Sequence, residues 1–303
     1  MAETARAPIV QRIPPHAYFV VSAVFHYLGP ALAVLLFARI DVLGVAWLRI
    51  AAAAVVFAVW RRPWRLWQWL DRPTRWLLTG WAAVLAVMNS VFYLAIDRLP
   101  LGSVAAIEFL PVIVLAAFAA RTRRNIVALI AAVGGVYLLT DVQLIAEPLG
   151  IAFAVGNAVL FALYIVLGHR VARSRHVAGI DGLALSMLIA AVIALPIGIG
   201  QAASAFADPI ALAAATGVGI CSSVIPYVSD QLAMARLPRA TYALMVSLLP
   251  ATATVIGVLV LTQIPSPTEI IGVGLVVAGV ALHQERPSEP AEPPGSRDVS
   301  AAR

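Results

Sequence analysis

Long apolar stretches, separated by short polar segments, run through almost the whole chain. A membrane-spanning helix needs roughly 20 predominantly apolar residues, and most of these stretches approach that length. The segments between them are no longer than about fifteen residues, which leaves little room for a catalytic domain outside the membrane. The pattern predicts an all-α integral membrane protein with ten transmembrane helices, at about 18–38, 42–60, 76–96, 100–120, 126–140, 149–167, 182–200, 210–229, 240–261 and 269–282.

Composition supports the same class of protein. Of the 303 residues, 62% are hydrophobic and 12% are charged, and the mean hydropathy is +0.93. An ordinary soluble domain has roughly 25% charged residues. The single cysteine, Cys221, cannot form a disulfide within the chain. The net charge of +6 does not require a nucleic-acid partner, because most of the basic residues lie in the segments between the apolar stretches.

The arginines predict the orientation in the bilayer. If the N-terminus is cytoplasmic, 18 of the 21 arginines fall in inside segments, while Arg39 and Arg98 lie outside and Arg49 lies within a span. The positive-inside rule therefore places both termini in the cytoplasm. We interpret residues 1–17 as a cytoplasmic tail and the polar, proline-rich residues 283–303 as a disordered cytoplasmic tail. The chain is predicted to be a multi-pass protein of the bacterial cytoplasmic (inner) membrane.

The two halves of the chain resemble each other, which indicates an internal repeat of residues 18–140 in residues 149–282. Arg-Leu-Pro opens both the fourth and the ninth stretch, and each stretch then carries a second proline, at Pro111 and Pro250. Since each half has five helices, the two copies must face opposite ways across the membrane. Inverted repeats with helices broken at corresponding positions are typical of secondary transporters.

Glu108 is the first candidate for a functional residue because it lies near the middle of the fourth stretch. A carboxylate at the bilayer centre costs about 2.5–3.5 kcal/mol on insertion scales, so it usually faces a wet cavity or a partner. Pro111, one turn later, frees the carbonyl of Ile107 from its helical hydrogen bond. The alternative is a glutamate that only hydrogen-bonds to a neighbouring helix.

His26 and Arg49 are further polar residues within the spans. His26 precedes Pro30 by four residues, which repeats the arrangement at Glu108, and a histidine can relay protons or contact a substrate. A histidine paired with a neighbouring helix is equally consistent. Arg49 needs a carboxylate, a substrate carboxylate or carbonyls. We favour a structural role for Arg49, because arginine stays charged and cannot relay protons.

Other polar side chains could line a cavity or join two helices. Asn89 and Tyr93 are four residues apart and so share one helix face. The counterpart set in the second half consists of Tyr164, Ser222, Ser223, Pro226 and Tyr227. Asp230, near the cytoplasmic end of the eighth stretch, is expected to pair with Arg236 or Arg239 rather than to take part in transport.

No enzyme motif is present in the sequence. The aspartates include no pair at DxxD or DxxxD spacing that would hold magnesium pyrophosphate, and there is no HExxH or GxSxG motif. No phosphate-binding glycine loop is present either. We therefore expect no catalytic residue, no metal site and no cofactor. The expected partners are a small-molecule substrate and the lipid bilayer, and a homodimer is an open alternative to a monomer.

Several short segments together resemble the ten-helix EamA-type proteins of the drug/metabolite transporter superfamily, and among them the bacterial threonine and homoserine exporters. The resemblance covers residues 18 to 282. The chain departs from these exporters at Leu249, where they tend to have a glutamate. The segments are Trp47-Leu48-Arg49, Pro63-Trp64-Arg65-Leu66, Met88-Asn89, Phe92-Tyr93-Leu94, Leu99-Pro100-Leu101-Gly102, Glu108-Phe109, Tyr164 with Gly168 and Arg170, Pro226-Tyr227 and Arg236-Leu237-Pro238.

The resemblance implies a fold of two inverted five-helix repeats around a central cavity, and export of small amino-acid-like metabolites driven by the proton gradient. Glu108 would be the proton-coupling residue, and His26, Asn89, Tyr93, Glu108, Tyr164 and Tyr227 would contact the substrate. Efflux of aromatic or cationic drugs is an alternative, with Glu108 as a counter-ion. A polytopic membrane enzyme or an assembly partner is the remaining alternative.

Overall fold

The structure is a computed structural model that describes residues 14–119, 122–172, 177, 179–234, 236–237, 242, 245–246 and 248–282. The predicted tails therefore lie largely outside the described residues, as do Pro238, Arg239 and most of residues 240–247. The described part is all-helical. Its α-helices are α1 (Pro15–Leu36), α2 (Val42–Arg61), α3 (Trp64–Trp69), α4 (Arg72–Ile96), α5 (Leu101–Ala119), α6 (Arg123–Ala146), α7 (Pro148–Ala172), α8 (Gly179–Gln201), α9 (Ala203–Ala207), α10 (Pro209–Gly219), α11 (Ile225–Met234), α12 (Leu249–Leu261) and α13 (Pro267–Leu282).

Six helical segments in the described part are long and apolar enough to cross a membrane. A helix is suited to this because it satisfies its own backbone hydrogen bonds in lipid. Three further apolar helices are shorter: Leu101–Pro111, Leu249–Leu261 and Pro267–Leu282. Each of the ten predicted stretches overlaps helical structure, while the number of spans stays a prediction. The six long segments are Pro15–Leu36, Val42–Arg61, Arg72–Ile96, Pro148–Val171, Ile180–Gln201 and Pro209–Asp230.

Prolines occupy two kinds of position. Pro30 and Pro111 lie inside α1 and α5, and both helices continue past them. The backbone hydrogen bond that each proline is expected to remove therefore does not end its helix. Pro250, which was expected inside the ninth span, lies instead in the first turn of α12. A proline is tolerated there because the first amides of a helix have no intrahelical acceptor.

The eighth predicted span is not a uniform α-helix. A π-helical segment, Ile220–Val224, joins α10 to α11, and Pro226 follows it in the first turn of α11. Such segments are rare and occur often at functional sites. Asp208 caps the start of α10 by accepting hydrogen bonds from the amides of Ile210 and Ala211.

Helices α2 and α8 pack closely and run in opposite directions. A Cβ added to Gly44, at the start of α2, would overlap the backbone of Gln201, at the end of α8. In the middle, the Trp47 indole Nε1 donates to the Ala191 carbonyl oxygen at 3.0 Å. Arg61, at the end of α2, forms an ion pair of 2.6 Å with Asp181 near the start of α8.

Helices α6 and α13 also run in opposite directions, and small residues form their contact. A Cβ added to Gly135 would lie 2.6 Å from the Gly272 carbonyl oxygen, and one added to Gly279 would lie 2.7 Å from the Ala128 carbonyl oxygen. We call this contact the glycine seam; its residues are Ala128, Ala132, Gly135, Gly272 and Gly279. Backbones approach closely here because no large side chain separates them.

Three further helix pairs have the same antiparallel arrangement. Helix α4 packs on α7, α1 packs on α11 and the π-helical segment, and α5 packs on α12. In the last pair, the Leu101 amide at the start of α5 donates to Gln263 Oε1, just after α12, at 3.1 Å. The short helix α3 carries exposed Trp64 and Trp69, as expected for a segment at the membrane surface.

Candidate functional site

Glu108 lies on α5 and is buried where α5 meets α7. Its Oε1 accepts a hydrogen bond of 3.1 Å from Asn157 Nδ2, and the Asn157 side chain is fully buried. A buried carboxyl group needs such a partner, since an unpaired one is costly in an apolar interior. The structure therefore places the principal predicted residue in a polar contact between two helices.

Arg49 on α2 is buried and contacts the π-helical segment. Its Nε donates to Ser223 Oγ at 3.1 Å, and its Nη2 donates to the Ser222 carbonyl oxygen at 3.1 Å. The guanidinium carbon lies 5.4 Å from the centre of the Tyr93 ring. Within the described residues, no carboxylate lies within 4.0 Å of the guanidinium nitrogens. Neutral groups therefore provide all the hydrogen bonds that the structure shows for Arg49.

Arg49 and Glu108 lie close enough to act on each other electrostatically. Tyr227 experiences the charges of both residues, while His26 experiences that of Arg49 and Tyr27 that of Glu108. The structure thus brings seven helical segments together around two buried ionisable groups, Arg49 and Glu108. We call this set the central cluster; its residues are His26, Tyr27, Arg49, Tyr93, Glu108, Asn157, Ser222 and Tyr227.

Four buried polar atoms of the central cluster have no hydrogen-bond partner of good geometry: Tyr27 OH, Tyr93 OH, Asn157 Oδ1 and Ser222 Oγ. The Tyr93 hydroxyl approaches both Ser222 and Arg49 without bonding well to either. Buried polar atoms in native proteins are nearly always paired. Four such atoms in one region therefore provide donors and acceptors for a polar molecule.

His26 lies beside Tyr27 on α1, with their ring centroids 5.2 Å apart in an edge-to-face arrangement. One turn earlier in the same helix, Ser22 Oγ donates to the Pro226 carbonyl oxygen at 3.2 Å. The Ser222 hydroxyl lies where a Cβ on Gly29 would be. Helix α1 is thus held tightly against the π-helical segment, and His26 lies at this contact.

Tyr164 and Tyr227 extend the cluster toward the end of α7 and into α11. The Tyr164 ring stacks on Trp81 with centroids 5.2 Å apart, and Trp81 Nε1 donates to the Tyr164 carbonyl oxygen at 3.1 Å. The Tyr164 and Tyr227 hydroxyls interact with each other, and both side chains experience the charge of Asp230.

Asp230 interacts with Ser22 and Tyr242. Of the two arginines expected to pair with it, Arg236 lies over the Tyr18 ring, 5.6 Å from its centre. Arg239 lies outside the described residues. Asp230 is therefore placed among polar side chains of α1 and of the segment after α11.

Asn89 is buried on α4, and its Nδ2 donates to the Leu85 carbonyl oxygen of the same helix at 2.8 Å. The structure does not show a hydrogen bond from this amide to Glu108. Tyr93, one turn later, lies in the central cluster, where the Arg49 guanidinium lies over its ring.

Two residues of the central cluster were not singled out from the sequence, namely Asn157 and Tyr27. Asn157 precedes Tyr164 by seven residues, which places both on one face of α7. That spacing, and the presence of a primary amide in an apolar helix, were the available signals. Tyr27 follows His26 directly, but nothing in the sequence shows which of two adjacent side chains is more deeply buried.

In the part of the chain that the structure describes, three or more His, Cys, Asp or Glu side chains nowhere gather in a way that could hold a metal ion. The central cluster combines a carboxyl group, a guanidinium, amides and hydroxyls. Groups of these kinds are chemically able to hydrogen-bond to a small polar molecule.

Comparisons with known proteins classify the chain. The EamA-like transporter family matches residues 148–283. The threonine/homoserine exporter RhtA of Escherichia coli strain K12 is 33% identical over 254 residues, which cover 82% of this chain and 84% of the relative. The exporter of the same name from Salmonella typhimurium strain LT2 is 32% identical with the same coverage.

A solved crystal structure shows the same fold. It aligns with a TM-score of 0.57 at 19% sequence identity and covers 89% of this chain and 98% of that chain. The similarity to this structure concerns the fold alone, and the extended similarity to the exporters gives the family. The chain belongs to the EamA-like transporter family, and it is a membrane transporter, not an enzyme.

Proposed function

We propose that the protein is a secondary transporter that exports small amino acids such as threonine or homoserine across the bacterial cytoplasmic membrane. It works by alternating access, and Glu108 exchanges the proton that couples export to the proton gradient. Asn89, Tyr93, Tyr164, Tyr227 and His26 contact the substrate together with Glu108. Both termini are cytoplasmic.

The observation that carries this proposal is the buried contact of Glu108 with Asn157 in the central cluster. An ionisable residue inside a membrane domain is costly and commonly marks an ion or substrate pathway. Here the carboxyl group lies beside hydroxyls and amides contributed by both halves of the chain. The exporters that resemble this chain by sequence support amino acids as the substrate class.

The packing of the helices supports two inverted five-helix repeats. The predicted second, fourth and fifth helices correspond to the seventh, ninth and tenth, and these counterparts pack together as α2 with α8, α5 with α12 and α6 with α13. Each of these pairs is antiparallel, as expected for copies that face opposite ways. The pairing of α4 with α7 has its counterpart in the pairing of α11 with α1.

Two ion pairs support the proposed topology, because each joins two segments that are assigned to the same side of the membrane. Arg61 and Asp181 meet at the end of α2 that arginine placement assigns to the cytoplasm. Arg39 and Asp208, 3.4 Å apart, join the loops that are assigned to the other side. A carrier that alternates between two faces needs such contacts to form and break as its halves rock.

A second candidate function is efflux of cationic or aromatic compounds. The observation that favours it is the aromatic content of the site, where the Tyr164 ring stacks on Trp81 and the Tyr93 ring lies beside Arg49. In that case Glu108 would act as a counter-ion to the bound cation. The two functions predict different substrates, so one transport assay separates them.

The test is counterflow of radiolabelled threonine and homoserine into proteoliposomes that contain the purified protein, with and without a pH gradient. We expect uptake above that of empty liposomes, dependence on the gradient, and loss of that dependence in Glu108→Gln. The matched control is Glu147→Gln, which removes an exposed carboxylate between α6 and α7. It should behave like the unmodified protein.

Gradient-driven transport that is unchanged in Glu108→Gln would remove Glu108 from the mechanism. Uptake of organic cations with no uptake of either amino acid would favour the second candidate.

A further inference from the structure

We propose that Arg49 and Glu108 together recognise a zwitterionic α-amino acid, with Arg49 binding its carboxylate and Glu108 binding its ammonium group. This proposal rests on the proposed export function and assigns a substrate-binding role to Arg49, which the sequence alone favoured as structural. It defines the substrate class by two opposite charges on one molecule.

The first argument is that two buried groups of opposite charge share a site without forming an ion pair. They act on each other electrostatically, yet the structure places no carboxylate oxygen within 4.0 Å of Arg49 in its described part. Burying charges is costly unless strong partners compensate for lost hydration. A zwitterion between them would give each group a partner of opposite charge.

The second argument concerns the hydrogen bonds of Arg49. A guanidinium has five N–H donors in a planar fork, and the structure shows two in use, to Ser223 Oγ and to the Ser222 carbonyl oxygen. A planar fork suits a carboxylate, which accepts two parallel hydrogen bonds. The contacts on the π-helical segment and the Tyr93 ring hold the guanidinium in place for this role.

The third argument concerns Glu108. Its Oε1 accepts from Asn157 Nδ2, which orients the carboxyl group. Asn157 Oδ1 and the Tyr27 hydroxyl are buried nearby without partners. An ammonium group has three N–H donors, so Glu108 and such oxygens could receive it together. Ser222 Oγ, which is also unpartnered, can serve a hydroxyl on the substrate side chain.

The alternative is that Arg49 only supports the π-helical segment and that Glu108 only carries protons. In that case the site would not require both charged groups on one ligand. The proposal and this alternative therefore predict different affinities for ligands that lack the carboxylate or the ammonium group, even if threonine itself is transported.

The experiment measures binding to the purified protein in lipid nanodiscs by calorimetry, with three matched ligands. Threonine carries both groups, 1-aminopropan-2-ol lacks the carboxylate, and 3-hydroxybutyrate lacks the ammonium group. We expect each truncated ligand to bind about 10- to 100-fold more weakly than threonine, because one buried charged group is then left unpaired. Binding is measured instead of transport because Glu108→Gln is expected to stop proton coupling.

Two variants assign the groups. Arg49→Gln should lose most of its preference for threonine over 1-aminopropan-2-ol while it keeps its preference over 3-hydroxybutyrate. Glu108→Gln should show the opposite pattern. Arg49→Lys keeps the charge but not the planar fork, so its carboxylate preference should be intermediate.

Binding of 1-aminopropan-2-ol or 3-hydroxybutyrate within about threefold of threonine would overturn the proposal, whether or not Arg49→Gln folds. Equal weakening of all three ligands in Arg49→Gln would also overturn it and would leave Arg49 a structural role. If threonine counterflow persists in either case, the export function stands and only this inference fails. Absence of both threonine flux and binding would overturn the two proposals together.

Discussion

The glycine seam and the central cluster are both contacts between the two halves of the chain, but small residues form the seam and polar residues form the cluster. In the seam, the backbone of α6 lies directly against that of α13, and a Cβ on Gly272 would lie 2.9 Å from the Gly135 carbonyl oxygen. In the central cluster, one side-chain hydrogen bond holds Glu108 to Asn157, and four buried polar atoms are unpaired.

The difference separates stability from function. Close-packed small residues leave few alternative arrangements, so the seam is suited to hold the halves in register. Unpaired polar atoms lower stability but leave partners available to a ligand. We therefore expect substitutions in the seam to act on folding, and substitutions in the central cluster to act mainly on transport.

The largest effect on stability is expected for Gly272→Ala. The added methyl group would meet the Gly135 backbone and the Leu139 side chain at 2.9 and 2.8 Å, and overpacking of this kind costs about 1–3 kcal/mol. The unfolding temperature in detergent should fall clearly. Gly274→Ala on the same helix is the control, since no atom lies within 4 Å of its added Cβ.

Equal unfolding temperatures for the two alanine variants would show that the seam is not tightly packed. A Gly272→Ala variant of normal stability and altered ligand preference would break the comparison itself.

A change in stability of at most similar size, but a larger change in transport, is expected for Asn157→Ala. It removes the amide that donates to Glu108, and leaving a buried acceptor unpaired costs about 1–3 kcal/mol. We expect a loss of transport, measured by initial rates in proteoliposomes, that exceeds what the amount of folded protein explains. Ser186→Ala is the control, because that buried hydroxyl donates to the Leu183 carbonyl oxygen of its own helix at 2.9 Å.

If Asn157→Ala and Ser186→Ala transport at the same rate per folded molecule, the hydrogen bond to Glu108 has no part in transport.

The smallest effect is expected at Asp208, which is exposed and belongs to neither region. Hydrogen bonds from the Ala211 and Ile210 amides, with Arg39 nearby, hold the pKa of Asp208 below its usual value. A lowered pKa means that the ionised form stabilises the folded state above the unfolded-state pKa, and that this contribution is lost as pH falls through the folded-state pKa.

Asp208→Asn should therefore lower the unfolding temperature slightly at neutral pH, and the gap to the unmodified protein should narrow under acidic conditions. Asp41→Asn is the control, because Asp41 precedes α2 without a side-chain capping bond. A gap that widens as pH falls would contradict the assigned sign.

Much of the fold could be predicted because a bilayer imposes apolar helices of known length. Glu108 and Arg49 could be singled out for the same reason, since an ionisable residue in such a helix is conspicuous. The partners of these residues could not be predicted. That Asn157 faces Glu108, and that Arg49 meets Ser222 and Ser223, depends on which helices are neighbours, and hydropathy alone does not give the neighbours.

The prolines show a second limit. Sequence spacing made Pro111 and Pro250 look equivalent, yet one lies within a continuous helix and the other lies in a first turn. A proline's effect depends on whether the helix extends four residues before it. That extent is uncertain wherever an apolar stretch has no clear capping residue.

The π-helical segment Ile220–Val224 also sets the angular position of everything that follows it. One residue corresponds to a rotation of about 100° around a helix axis. If these same residues were α-helical instead, α11 would be turned by about that angle relative to α10. Tyr227 and Asp230 would then face other neighbours, although no residue of α11 had been changed. The π-helical conformation of this segment therefore helps to determine which side chains of α11 face the central cluster. A comparison of residue types alone would not show this.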